Sequence, residues 1–213
     1  MTEIYLIRHA QSLGNETGRY LGHTNLGLST LGHNQSLKLK EYLKTLKIDK
    51  IYSSSLLRAV QTIQPFADDC GLEIIKENEL REIYAGKWEN MKFDELEALY
   101  PEEYGKVWRH NVGLAQCPGG ESMAEVQSRV CKRIDEICAE NTGKTLAIVS
   151  HGAAIRSFMC RCYKMELSQM KNIDWVSNAS VTHIFHKNGQ YSFDFVSYDD
   201  FLGNMVSSLP KNV

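Results

Sequence analysis

The chain predicts an α/β fold: a three-layer sandwich with a mainly parallel central sheet, helices on both faces and a small cap over a site. The short continuous apolar run Ile4–Ile7 has the length and composition of a buried strand, and Thr145–Ser150 is a second buried-strand candidate. Helical stretches fall between the strand candidates, an alternation that yields parallel strands covered by helices. No repeat, linker or low-complexity tract divides the 213 residues, which suit one domain over 1–213.

Taken in order, Ile4–Ile7 opens the sheet and is followed by a loop rich in Gly, Asn and Thr from Ala10 to about Gly27. Ser29 reads as an N-cap, since its hydroxyl can satisfy a free N–H of the first turn. The helix it opens carries Leu39, Tyr42, Leu43 and Leu46 on one stripe. Lys50–Tyr52 reads as a strand running into Ser53, Ser54 and Ser55, with a second helix from Leu56 and a further strand at Glu73–Lys76. From Leu80 to Cys117 no strand pattern stands out. Two short helices are expected around Pro101, and the part from about 84 to 117 is the expected cap. Pro118-Gly119-Gly120 breaks the chain, and Ser122 with Glu125 forms a capping box for a helix to about Asn141. After Thr145–Ser150, His151-Gly152 leads into another helix. Val181–His186 and Tyr191–Val196 flank Asn188-Gly189, a hairpin signal. The tail from Asp199 carries no pattern.

Composition narrows the partners. Hydrophobic residues are 43% and charged residues 23%, enough for a core, and the formal net charge of −2 offers no basic field to nucleic acid or anionic lipid. Any anionic ligand must therefore meet its cations locally. The N-terminus lacks the basic head and long apolar stretch of a secretory signal, and no run approaches the roughly 18 apolar residues of a membrane span. The six cysteines then read as free thiols of a cytoplasmic protein. Oligomeric state is not readable.

Two loops follow apolar strands and begin with a histidine, His9 after Arg8 and His151 before Gly152. In open parallel sheets ligands bind beyond the carboxyl ends of the strands. If the two strands are adjacent, the imidazoles share that crevice, although a histidine at a strand end can be structural. Arg58 falls in the first turn of its helix, where a cation opposes the helix dipole unless an anion sits there too. Arg8 ends an apolar strand, and its burial requires a partner that accepts several hydrogen bonds. A phosphoryl group meets both needs. Glu82 can be read as a proton donor in a desolvated site or as an ordinary surface carboxylate.

Competing chemistries fail on spacing. A cysteine phosphatase needs Arg six positions after the cysteine, and those positions hold Lys76, Met123, Ile137, Lys144, Glu166 and Ser168. Gly143-Lys144-Thr145 mimics a P-loop, but the earlier glycine is Cys138 and a strand follows where a helix should start. His183 and His186 sit on a predicted hairpin strand without a metal-site motif and read as strand side chains, and Cys131 and Cys138 as helix core.

With these residues in place the chain resembles the histidine phosphatase superfamily, also called phosphoglycerate-mutase-like, from Ile4 to about Val196. The carriers are Arg8-His9-Ala10-Gln11-Ser12-Leu13-Gly14-Asn15, then Ser53 to Thr62 around Arg58, Leu80-Arg81-Glu82 to Glu89, Gly120-Glu121-Ser122, and His151 to Arg156. The resemblance implies His9 as nucleophile, His151 as stabiliser of the phosphoryl group in flight, and Arg8, Asn15 and Arg58 as ligands of its oxygens. It also implies Glu82 as the acid that protonates the leaving alcohol, with no metal and no organic cofactor. The implied enzyme is a histidine acid-type phosphatase that hydrolyses a small phosphorylated metabolite through a phosphohistidine. Ala10 departs from the family's glycine, and a positive φ there would strain it. Trp88, Trp108, Arg109 and His110 of the cap are expected to set specificity, with the aromatics serving equally as cap core.

A phosphoglycerate mutase is the rival within the family. Ile83, Ala85 and Leu21 stand where mutases place polar or cationic contacts, so hydrolysis is favoured. A catalytically silent phospho-ligand-binding module is the rival from another class. It would need the cations but neither nucleophile nor acid.

Overall fold

The computed structural model describes residues 1–207. Its elements run β1 (Thr2–Arg8), α1 (Leu13–Glu16), β2 (Arg19–Tyr20), α2 (Thr30–Leu43), β3 (Lys50–Ser54), α3 (Leu57–Cys70), β4 (Ile74–Glu77), β5 (Met91–Lys92) and α4 (Phe93–Leu99). They continue with α5 (Arg109–Asn111), α6 (Met123–Glu140), β6 (Thr145–Ser150), α7 (Gly152–Cys162), β7 (Val181–Lys187) and β8 (Gln190–Tyr198). Six strands form one sheet in the order β4-β3-β6-β1-β7-β8. The first four are parallel; β7 and β8 join antiparallel at one side. The sheet is thus mainly parallel, as the alternation predicts, with a hairpin appended. Asn188 and Gly189, at φ 52° and 74°, supply the paired left-handed residues that its tight turn requires.

Successive side chains of a strand point to opposite faces, so the unbroken apolar run of β1 serves two cores. Tyr5 and Ile7, with Ala147 and Val149 of β6, pack on Leu39 and Leu43 of α2 and Ile63 and Phe66 of α3. Ile4 and Leu6, with Leu146 and Ile148, pack on Ile134 and Ile137 of α6 and Phe158 of α7. Burial of each such side chain contributes roughly 1.5–3 kcal/mol. A change such as Ile7→Ala would cost about 2–5 kcal/mol in a strand that carries catalytic candidates at its end.

The expected caps are present: Ser29 accepts from the Gly32 N–H, and Ser122 and Glu125 cap each other's backbone at the start of α6. Two expectations need correction. The stretch from Ala10 to Gly27 is not all loop, because Ser12 caps the one-turn α1 with Asn15 as its reciprocal partner, and β2 pairs with β5. Asn in place of Glu or Gln hides the capping box, and two-residue strands have no period to read. The tail from Asp199 is also ordered through Met205: Phe201 stacks on Tyr42 at 4.7 Å, and Gln35 donates to the Met205 carbonyl at 2.7 Å. Positions 208–213 of that tail lie outside the described residues.

The β2/β5 ribbon fastens the loop after His9 to the segment after Glu82. Beyond it, α4 precedes Pro101, and a widened helical turn over Pro101–Trp108 follows, in which Gly105 N–H reaches back to the Tyr100 carbonyl. Trp88 anchors this region with edge-on contacts to Tyr20, Tyr104 and Trp108. All six cysteines are free. Among the described residues no helix is long and apolar enough to cross a membrane.

Candidate active site

The site follows from strand register. Pairing of Ile7 with Val149 and Arg8 with Ser150 ends β1 and β6 together, and the next residues are His9 and His151. Their rings lie 5.0 Å apart, centroid to centroid, tilted by 56°. Neighbouring β3 ends at Ser54, and the chain then enters α3, whose first turn carries Arg58.

Backbone groups hold His9, Arg8 and Arg58. His9 Nδ1 lies 2.7 Å from the Ala10 carbonyl, which fixes the proton on Nδ1 and leaves Nε2 as the lone-pair nitrogen. The loop around it is pinned: Ala10 N–H donates to Thr62 Oγ1 at 2.8 Å, and Asn178 Nδ2 donates to the His9 carbonyl at 2.9 Å. Ala10 does not adopt a positive φ, so its Cβ causes no strain. Arg58, only 2% exposed, donates to the carbonyls of Gly22 (2.7 Å) and Thr24 (2.9 Å). Gly22 has φ of 50°, and a Cβ there would come within 2.2 Å of Glu89, so glycine is what allows its carbonyl to reach the guanidinium. Arg8 donates to the Val176 carbonyl at 2.5 Å, while its buried Nε has no partner among the described residues. Asn15 Oδ1 accepts from Ser12 N–H, Ser12 Oγ and Asn178 Nδ2, which orients its Nδ2 donor group.

Glu82 caps the start of α7. Its carboxylate accepts from Ala153 N–H at 3.0 Å, Ala154 N–H at 3.1 Å and its neighbour Ile83 N–H at 3.0 Å. Arg129 holds this segment through the carbonyls of Glu79, Arg81 and Glu82. The acid candidate therefore sits beside His151 by virtue of one helix N-terminus.

Electrostatics set the protonation states. Burial, then the Arg58 charge, holds His9 and His151 well below the ordinary imidazole range, and Arg8 adds to the effect on His9. Both imidazoles are therefore neutral near pH 7. Burial also lowers Arg8 and Arg58 to about 10, still leaving them charged, with Glu82 opposing that shift. Two neutral imidazoles and two desolvated guanidiniums make a pocket suited to a compact anion.

That pocket is lined by Arg8, His9, Ser12, Asn15, Arg58, Glu82 and Gly152 and by a second group, termed the mouth, of Arg19, Tyr20, Leu21, Gly22, Phe93, Trp108 and Trp175. Five of the six expected site residues line it. The sixth, His151, is fully covered, with its ring 5.0 Å from that of His9.

The profile of the histidine phosphatase superfamily (branch 1) matches residues 4–199. The chain belongs to the histidine phosphatase superfamily. Phosphoserine phosphatase 1 of Hydrogenobacter thermophilus is 34% identical over 169 residues, 79% of this chain and 80% of that one. A probable phosphoglycerate mutase of Yersinia pestis is 33% identical over 159 residues, 73% of this chain and 72% of that one. Among solved structures, Bacillus stearothermophilus YhfR superposes with a TM-score of 0.90 at 25% identity, covering 95% of this chain and all 100% of that one. A phosphoserine phosphatase mutant of Entamoeba histolytica in complex with phosphoserine gives a TM-score of 0.79 at 28% identity, over 92% of this chain and 97% of that one.

Within this histidine phosphatase the expected specificity residues need correction. Arg109 is absent from the pocket lining; it pairs with Glu97 at 2.5 Å and, with His110, borders a neighbouring hollow. Trp88 is fully buried as cap core, and only Trp108 reaches the pocket. Arg19 and Trp175 were not singled out from the sequence. An arginine in the Gly- and Asn-rich loop after the first histidine was the signal for Arg19; Trp175 follows α7 in a stretch without a pattern. His183 is a strand side chain, bridging Glu3 (2.9 Å) and Asp194 (3.0 Å) remote from the pocket lining, and among the described residues no cluster is grouped to hold a metal ion.

Proposed function

We propose that the protein is an acid-type phosphomonoester hydrolase of the cytoplasm that passes the phosphoryl group of a small metabolite through His9. The carrying observation is the buried His9–His151 pair, 5.0 Å apart, with Arg8 and Arg58 beside it. The Nε2 lone pair of His9 forms the N–P bond as the P–O ester bond breaks, and the leaving oxygen takes the proton of Glu82. Water then attacks phosphorus and gives a proton to Glu82, and the N–P bond breaks to release phosphate. Arg8, Arg58, Asn15 and His151 hold charge on the equatorial oxygens, the main demand of this chemistry. Because burial and the arginines keep His9 neutral below the ordinary imidazole range, the nucleophile persists into acid solution.

The chain is one domain in which the segment from about 84 to 117 caps the site. The substrate class is a small phosphomonoester bearing a second anionic group, for which the mouth residue Arg19 is the counter-charge. Phosphoserine, named for two of the relatives, is of this class. Hydrolysis is preferred to mutase action because Leu21 lines the pocket and Ile83 and Ala85 are fully buried, so none of the three offers a polar contact. Six free thiols support a reducing compartment.

Hydrolysis of p-nitrophenyl phosphate with and without chelator, followed by a panel of phosphorylated metabolites, is the test. Chelator-insensitive turnover that continues below pH 6 is expected. Folded protein with no turnover from pH 5 to 8 would reduce the site to a binding module. Phosphoryl exchange on 3-phosphoglycerate, primed by bisphosphoglycerate and faster than phosphate release, would make it a mutase.

A further inference from the structure

We propose that Ser54 is a positioning residue for phosphoryl transfer: it fixes the tautomer of His151 so that this imidazole presents an N–H, at Nδ1, to the transferring group. The proposal rests on the phosphatase reading of the pocket. Ser54 ends β3, whose pairing of Ser53 with Val149 brings it beside the chain entering α7. Its Oγ lies 2.7 Å from His151 Nε2, and both side chains are fully buried.

Two proton arrangements suit that distance. In the first, Nε2–H donates to Oγ, which already accepts Leu56 N–H at 3.3 Å. The serine hydrogen then has no acceptor among the described residues, and the buried Nδ1 is a bare lone pair with no donor. In the second, the hydroxyl donates to Nε2 and the ring hydrogen sits on Nδ1. That N–H alone is then left without a partner among the described residues. Each unmade buried hydrogen bond is costly, so the second arrangement, with one orphan against two, prevails. A doubly protonated ring is disfavoured by burial and by Arg58 alongside.

The remaining orphan is explained by the reaction. The ring of His151 lies 5.0 Å from that of His9, where the phosphoryl group is received, and an equatorial oxygen is the acceptor its Nδ1–H lacks. The opposite tautomer would aim a lone pair at an anionic oxygen. The two imidazoles thus both carry hydrogen on Nδ1 and do opposite work. His9 commits its N–H to the Ala10 carbonyl and offers a lone pair to phosphorus. His151 receives a hydrogen bond at Nε2 and offers its N–H to oxygen.

Long-range ¹H–¹⁵N spectra of the full-length protein test the tautomer directly. The wild type should show neutral His151 with hydrogen on Nδ1, S54T should keep it, and S54A should move hydrogen to Nε2 in part or in full. In turnover, S54A should lower kcat by about 10-fold or more with KM changed less than about twofold, and S54T should restore most of kcat. Unchanged His9 signals in S54A establish that the fold is intact. An Nε2–H tautomer in the wild type, or wild-type kcat in S54A, would overturn the proposal. Failure of the phosphatase reading is separate: it appears as absent turnover in the wild type, and the spectra still decide the tautomer.

Discussion

The floor and the mouth of the pocket are built by different means. The floor, Arg8, His9 and Arg58, with His151 covered next to His9, stands at the ends of parallel strands or in the first turn of the following helix, and all four residues are buried. The mouth, Arg19, Phe93, Trp108 and Trp175, comes from a two-residue strand, short helices and an aperiodic stretch. The floor has its geometry dictated by register, while the mouth is held by aromatic edges and single hydrogen bonds, such as Arg19 to the Asn90 carbonyl at 2.7 Å. Loops and short elements set around a rigid scaffold commonly carry specificity, so that one chemistry can serve different substrates.

Substitutions should separate the two. The largest effect is expected in the floor. Arg58→Ala should lower kcat/KM by about 10²–10³-fold on every substrate, because it removes a desolvated donor to the transferring group. Steady-state kinetics on two unrelated phosphomonoesters check this, and a loss confined to one of them would assign Arg58 to substrate selection. Next comes Glu82→Gln. It should slow alkyl phosphates by about 10²-fold and p-nitrophenyl phosphate only a few-fold, since that leaving oxygen needs little protonation. Equal losses would remove Glu82 from the acid role.

The mouth should answer differently. Arg19→Ala should raise KM by about 10-fold for a substrate with a second anionic group and leave p-nitrophenyl phosphate within about twofold, the loss of one charge-assisted contact. Arg109→Ala should change neither, because that side chain is committed to Glu97. A substrate profile altered by Arg109→Ala and untouched by Arg19→Ala would invert the assignment.

The smallest effect concerns stability. His9 and His151 are neutral in the fold well below their unfolded pKa near 6.5. Between those values the unfolded chain binds more protons, so stability is full above about pH 6.5 and declines as pH falls below it. Tm should drop by a few degrees from pH 7 to 5, and the His9→Ala/His151→Ala double variant should flatten that slope. An unchanged slope would place the acid sensitivity elsewhere.

The same division governs what the sequence reveals. Apolar runs of strand length, capping residues and the Asn-Gly turn are local signals, and β1, β6, α6 and the hairpin could be read from them. The floor was legible because misplaced charge is informative: an arginine closing an apolar strand and another in a helix first turn both call for an anion. Adjacency of β1 and β6, on which the histidine pair depends, is a pairing choice that no local pattern encodes. Asn15 was visible only through family resemblance, and without it Glu82 reads equally as a surface carboxylate, since a carboxylate whose partners include backbone N–H groups 71 and 72 positions away has no local signature. Arg109 stands out in the sequence as the conspicuous cation of the cap, and sequence cannot show that it pairs with Glu97.

Rapid quenching of turnover with a ³²P-labelled phosphomonoester tests the central claim most directly. An acid-labile, alkali-stable phosphoenzyme that maps to His9, forms as fast as turnover and vanishes in His9→Ala is the predicted result. Turnover with no phosphoenzyme, or a label that survives His9→Ala, would contradict it.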